Sequence, residues 1–342
     1  MDTKSAKTKL DHVINVARVE MYKPIQIAEV LRVARTSEEV DLANSETYRI
    51  KSRHWRNKVT LELFKKCSTS SARFQDDVWN DSAVPPAAMV SLGTANKANA
   101  VVEAYIYSSI IKKNEGLVTA RTKVTSLKNV NEVKELLSAF DSRMLLNSAD
   151  RFYEILATAV FKTELGQTSY TISVDRPSGS FRGLSVDNLV DLVATNPMPL
   201  VVDRLGHTNA ADAGLDIWTN FGVVVNVKHR VLTPQLLTQI VDETPIGSLH
   251  IVCLSIDSTV EARIKKLQAA REKISITTRS DLMSSIETLL KEAVPSKAFI
   301  ESLTKAFDRE FPMAQTLGDF ADSRGYSSIK LAGLWKRPDL DS

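Results

Sequence analysis

The chain is poor in several things at once: two cysteines, 12 glycines and 6% aromatics in 342 residues. Cys67 and Cys253 stand far apart with no second cysteine near either. That excludes a disulfide framework, a CxxC redox pair and a zinc knuckle, and both read as plain buried thiols. Neither GxxxxGK[ST] nor GxGxxG occurs, so no nucleotide-driven translocation is expected. No apolar run approaches the ~18 residues of a transmembrane helix. The N-terminus, MDTKSAKTKLDHVINVARVE, has no apolar stretch of the kind a secretory signal carries, so a soluble, cytoplasmic protein is expected. Net charge is only +3, so any affinity for nucleic acid must come from local clusters of charge.

What is present is an ordered chain, 43% hydrophobic and 25% charged, long enough for one large domain or two ordinary ones. Between Arg49 and Lys66 the basic residues are Arg49, Lys51, Arg53, Arg56, Lys58, Lys65 and Lys66, against the single acid Glu62. With His54 and Trp55 among them, the mixture suits phosphate contacts, although a solvated helix face would look the same. A weaker basic cluster runs from Arg263 to Lys273.

The pattern changes along the chain. The first ~115 residues carry apolar positions at helical spacing, with breaks at the STSS run ending at Ser71 and at Pro85–Pro86. NVNEVKELLSAF, from Asn129, predicts an amphipathic helix with Asn129 and Glu132 as a capping box. A second helix follows Ser148 and ends at Gly166, with Glu154 beside its apolar face. TSYTISVD then alternates as a strand does, and Ser185 can cap a short helix. PLVVDR reads as a strand, GHTNAADAG as irregular, and LDIW and VVVNVKHRV as a hairpin turning near Asn220–Gly222. After that, helix and strand alternate: TPQLLTQIVDE, SLHIVCLS, Val260–Ala270, ISITT and Ser280–Lys291. The expected fold class is α/β, a helical N-terminal region plus a mixed β-sheet core flanked by helices. Its expected divisions are a helical DNA-binding and dimerisation region at 1–146, a core at 147–295 and a helical extension at 296–342.

The hairpin carries the chemistry. Asp216 lies on its first strand, and Asn226 and Lys228 share a face of the second by period two. Folded back, the hairpin should bring Asp216 alongside them. A carboxylate, an amide oxygen and an ammonium in one small volume suit Mg²⁺-assisted phosphodiester hydrolysis. His229 alternates to the opposite face and reads as structural, Trp55 and Trp79 read as core or interface anchors, and His207 is fixed by nothing nearby.

Asp-x9-Asn-x-Lys resembles the signature of the PD-(D/E)xK nucleases, with Asn226 replacing the second acid. Those nucleases often have a further acid on the preceding helix, where Glu154 stands. MYKPIQIAEVL, ETYRIKSRHWRNKV, STSSARFQDDVW with the following VPP, RFYEILATAVF, and TNAADAGLDIWTNFG through VKH are similar to segments of the HaeII-type restriction endonucleases. This resemblance implies a type II restriction endonuclease of the bacterial cytoplasm that uses Mg²⁺ to cut double-stranded DNA at a short GC-rich palindrome, of purine-GCGC-pyrimidine type. It also implies a homodimer and a cognate DNA methyltransferase. Asp216, Asn226 and Lys228 would be catalytic with Glu154; Asp216, Glu154 and Asn226 would ligate the metal, and Asp212 is a further candidate acid. Arg49, Lys51, Arg53, Arg56 and Asn209 would contact DNA. Asn209 and Asp212 read equally well as turn-stabilising side chains. The alternatives are a DNA-binding protein with a degenerate site, and a repair or recombination nuclease.

Overall fold

A computed structural model describes residues 1–18, 20–68, 70–142, 145, 148–166, 201–205, 215–220, 222–244, 248–268 and 273–336. The expected strand at TSYTISVD, the helix capped by Ser185 and the GHTNAADAG segment, with His207, Asn209 and Asp212, lie outside them. The chain forms two compact units, one of Met1–Lys123, Ser138–Ser148 and Asp308–Ser342, the other of Val124–Leu137 and Ala149–Phe307. Among the described residues no helix is long and apolar enough to cross a membrane.

The first unit is helical. It contains α1 (Thr3–Val16), α2 (Tyr22–Thr36), α3 (Arg49–Phe64), α4 (Ala72–Asp76), α5 (Pro86–Asn96) and most of α6 (Val101–Thr125). The breaks fall where chain chemistry puts them: Ser71 caps α4 by accepting from the Phe74 N–H, and Pro86 opens α5. The C-terminal segment closes this core through buried polar pairs. Arg324 pairs with Glu29, the Tyr326 hydroxyl donates to Glu103 at 2.6 Å, and Arg35 holds the same Glu103 at 2.8 Å. Cys67, expected to be buried, is exposed in the loop after α3; Cys253 is buried. Trp79 is buried and meets Tyr48 edge-on at 4.9 Å, as a core anchor does.

The second unit is the α/β part. Helices α7 (Val130–Phe140, which begins in it) and α8 (Ala149–Gly166) precede the sheet. At α7 the Asn129 side chain accepts from the Glu132 N–H while Glu132 reaches back to the Lys128 N–H. The strands are β1 (Val202–Arg204), β2 (Ile217–Thr219), β3 (Val223–Lys228), β4 (Ser248–Cys253) and β5 (Lys273–Thr278). They lie side by side in chain order; β1, β2 and β3 are antiparallel, and β3, β4 and β5 are parallel. Parallel neighbours need crossovers, supplied by α9 (Pro234–Glu243) and α10 (Val260–Gln268). Thr233 caps α9 by accepting from the Leu236 N–H, with Pro234 as first residue. Helices α11 (Arg279–Lys291) and α12 (Ala293–Glu310) follow, and α13 (Leu317–Ser323) belongs to the first unit. Val224, Leu249, Ile251, Cys253 and Ile274 pack with Leu236, Leu237, Ile240 and Val241 of α9 into one apolar cluster, which fixes the sheet face under that helix.

Candidate active site

Asp216 immediately precedes β2, where the alternation is broken. Ile217 is the register partner of Val225, yet the Asp216 N–H also donates to the Val225 carbonyl at 3.0 Å. Two residues of one strand thus oppose one residue of the other, the mark of a β-bulge, which re-aims a side chain. The Asp216 carboxylate turns onto the backbone of β3: Oδ2 accepts from the Val227 N–H at 2.7 Å, and Lys228 Nζ lies 3.6 Å from the same oxygen. The side chains of Asp216 and Lys228 are both about a quarter exposed, so a solvent-borne substrate can reach them.

Glu154 joins this pair from α8. It is buried, and each of its oxygens is engaged: Arg204 Nε donates to Oε1 at 2.7 Å and Arg151 Nη1 to Oε2 at 3.0 Å. Burial pushes the Asp216 carboxyl above the usual range, against the pull of the Lys228 ammonium and the Val227 N–H. Burial also raises Glu154, opposed by Arg204 and reinforced by the charge of Asp216. The two acids therefore feel each other's charge, and desolvation outweighs the cations around them. Sequence reasoning missed Arg151 and Arg204. Arg151 was readable as a residue three before Glu154 on a helix, whereas Arg204 needed the strand register.

Asn226 lies within β3, two residues before Lys228, so the two share a face of the strand as the spacing predicts. Asn226 is buried and alternates with Val224, whose face packs under α9. Lys228 shares that parity, but it ends the strand, and its long stem reaches Asp216. His229 follows with Nδ1 3.5 Å from Asp150 and its ring 5.1 Å from Tyr153. The hydrogen bond with His229 is the main cause lowering the Asp150 carboxyl. These contacts are those of a structural histidine.

The basic segment forms α3, and its cations divide. Arg56 is 1% exposed, its guanidinium held by the side-chain oxygens of Gln26, Asn57 and Gln75 at 2.9, 2.6 and 2.7 Å. It belongs to the interior and leaves the set that could touch a phosphate. Arg53 is partly buried beside Asp76 at 3.4 Å. Arg49 pairs with Glu46 at 3.0 Å, and Lys51 lies 3.8 Å from Glu39 while more than half exposed. His54 and Lys58 are exposed along the same helix. Acids from outside the segment thus trim a charge excess that looked larger in the linear sequence.

A family model described as HaeII restriction endonuclease matches residues 6–326. The chain is 33% identical over 341 residues to the type II restriction enzyme NgoBI of Neisseria gonorrhoeae, covering 95% of this chain and 97% of that protein. It is 33% identical over 335 residues to the type II restriction enzyme HaeII of Haemophilus aegyptius, covering 93% and 95%. No solved structure matches it significantly.

Two outcomes follow from this geometry. Arg56→Ala should cost roughly 2–4 kcal/mol in urea unfolding, by stranding buried amide oxygens, while Lys51→Ala changes little; equal, small losses would return Arg56 to the surface. Because the folded-state pKa of Asp216 is raised, folding favours its protonated form. That contribution is full below the ordinary value of 3.8 and lost as pH rises through the raised one. Asp216→Asn should flatten the stability profile above pH 3.8 and raise the urea midpoint at neutral pH. An unchanged profile would mean a well-solvated carboxylate.

Proposed function

The chain belongs to the HaeII restriction endonuclease family and is a type II site-specific deoxyribonuclease, and from that premise we propose that it cuts both strands of a short GC-rich palindrome of purine-GCGC-pyrimidine type with Mg²⁺ held at Asp216. The observation that carries this reading is the bulge that sets a desolvated carboxylate 3.6 Å from the Lys228 ammonium. Acid, amine and partial exposure together are what a phosphodiester and a hard cation require.

The donors suit Mg²⁺. Among the described residues no three or more His, Cys, Asp and Glu side chains stand together, which disfavours an all-protein cage. Mg²⁺ does not need one, since it is commonly held by one or two carboxylates and completes its shell with substrate phosphate and water. Asp216, raised by burial, gains from a nearby cation, and Glu154 is the second acid in reach of its field. When bound, the ion supplies charge neutralisation at the phosphate and acidification of water.

The chain's own groups do the positioning. The Val227 N–H fixes Oδ2 of Asp216 and so leaves Oδ1 as the oxygen to present. Lys228, close to the same carboxylate, orients the attacking water and offers its ammonium to the charge that builds as the new P–O bond forms and the old one breaks. Arg151, whose charge acts on both acids, favours their ionised forms against the desolvation that raises them. Asn226 adds no charge, and its proposed part is to offer its side-chain oxygen to the metal or to water.

A palindrome has a two-fold axis, so a homodimer placing one site on each strand is the matching assembly. The helical region would supply dimerisation and DNA contacts, the sheet core the cut, in a bacterial cytoplasm where a methyltransferase of equal specificity protects host DNA. Arg49, Lys51 and Arg53 are the proposed phosphate contacts, with Asn209 near the backbone.

Asp216→Ala or Lys228→Ala should abolish cleavage in Mg²⁺ while gel-shift binding to a GCGC-containing duplex survives; cutting by either variant would refute the assignment. Replacing Arg49, Lys51 and Arg53 with glutamine should weaken binding and reduce the salt slope by about 0.9 for each phosphate no longer neutralised. An unaltered slope would remove α3 from the interface.

A further inference from the structure

Glu154 reaches the site already paired. Its two oxygens bind two guanidiniums, at 2.7 Å from Arg204 and 3.0 Å from Arg151, and Arg204 is only 12% exposed. Arg151 comes from the preceding turn of α8, so its pairing is local. Arg204 comes from the end of β1, 50 residues away, and the sheet holds it in place. Arg204 is the register partner of Ile217, and the next residue, Leu205, donates its N–H to the Asp216 carbonyl at 3.1 Å. The strand that carries Arg204 is therefore hydrogen-bonded to the residue that carries the other acid.

A guanidinium and a hard divalent cation seek the same carboxylate oxygens, and one oxygen in a buried site cannot serve both at full strength. We infer that Arg204 is a positioning residue that competes with the divalent cation for Glu154: it holds the carboxylate in place while no cation is there and cedes Oε1 when one binds. This rests on the reading of Asp216 as the metal-binding acid. The consequence is coupling. In the DNA-free protein Arg204 keeps metal affinity low; a scissile phosphate brings negative charge that favours the cation and also gives the released guanidinium a new partner. Metal loading then waits for substrate.

Removing Arg204 leaves Arg151 as the guanidinium paired with Glu154 among the described residues, and an incoming cation makes up the shortfall. The probe is Mn²⁺ alone, titrated into the DNA-free full chain and followed by loss of the free-ion electron paramagnetic resonance signal. Arg204→Gln should bind Mn²⁺ about tenfold tighter than the native chain, ~1.4 kcal/mol. In a Glu154→Gln background the same change should gain nothing. Arg204→Lys, which keeps the charge but loses the planar fork, should fall between and carries the comparison if the glutamine variant does not fold. The Mg²⁺ concentration for half-maximal cleavage should fall alongside. Unchanged or weaker Mn²⁺ binding in Arg204→Gln overturns the inference. So does a gain that persists with Glu154→Gln, which would be only the loss of a nearby positive charge. Mn²⁺ binding that survives Asp216→Asn would instead sink the metal reading, whereas binding lost in Asp216→Asn but indifferent to Arg204 would refute this inference alone.

Discussion

The hydrogen bond from the Val227 N–H to Asp216 Oδ2, at 2.7 Å, is the interaction on which the site depends. It ties an acid at the start of β2 to the backbone of β3, and it exists because the bulge at Asp216 removes one residue from the alternation. A bulge costs ladder regularity and returns a side chain aimed along the neighbouring strand. Here the returned group is a carboxylate, set within reach of the last residue of β3, Lys228. The rest of the sheet unit serves that placement. The parallel β3, β4 and β5, covered by α9, give β3 a rigid register, and α8 brings a second acid to the same region.

The charges around the site are close to balance, yet the balance is not neutral in effect. Two acids, Asp216 and Glu154, stand among three cations, Lys228, Arg151 and Arg204. Desolvation still raises both carboxyls, so burial outweighs the favourable Coulomb attraction. A carboxylate raised by burial in the folded state is less favourably ionised there than in the unfolded chain, so folding gains nothing from its charge. The helical unit shows the contrasting use of charge: Glu29 and Glu103 are buried but paired with Arg324, Arg35 and the Tyr326 hydroxyl, and there charge serves packing.

Much of the sheet unit was legible from period and capping. The helix ending at Gly166, the hairpin turn, the Thr233–Pro234 helix start and the two parallel strands after it follow from local chemistry, and the structure has them. The nearness of Asp216 and Lys228 was legible from strand spacing, because a hairpin of that length folds the two together. The bulge at Asp216 was not, since one extra residue in a strand leaves no mark in composition or spacing. Arg56 was misread for a different reason. Linear charge density cannot tell a guanidinium facing solvent from one facing three amide oxygens, and only packing against α2 and α4 decides that. Arg204 escaped notice because its partner lies 50 residues away, a separation that no sequence window spans.

The most direct test of this account is a crystal structure of the protein with an uncleaved duplex containing the recognised palindrome, grown in Ca²⁺. The expected result is a cation on the Asp216 carboxylate that also touches an oxygen of the scissile phosphate, with Lys228 Nζ facing the same phosphate. A cation bound elsewhere, or a scissile phosphate lying away from the bulge, would contradict it.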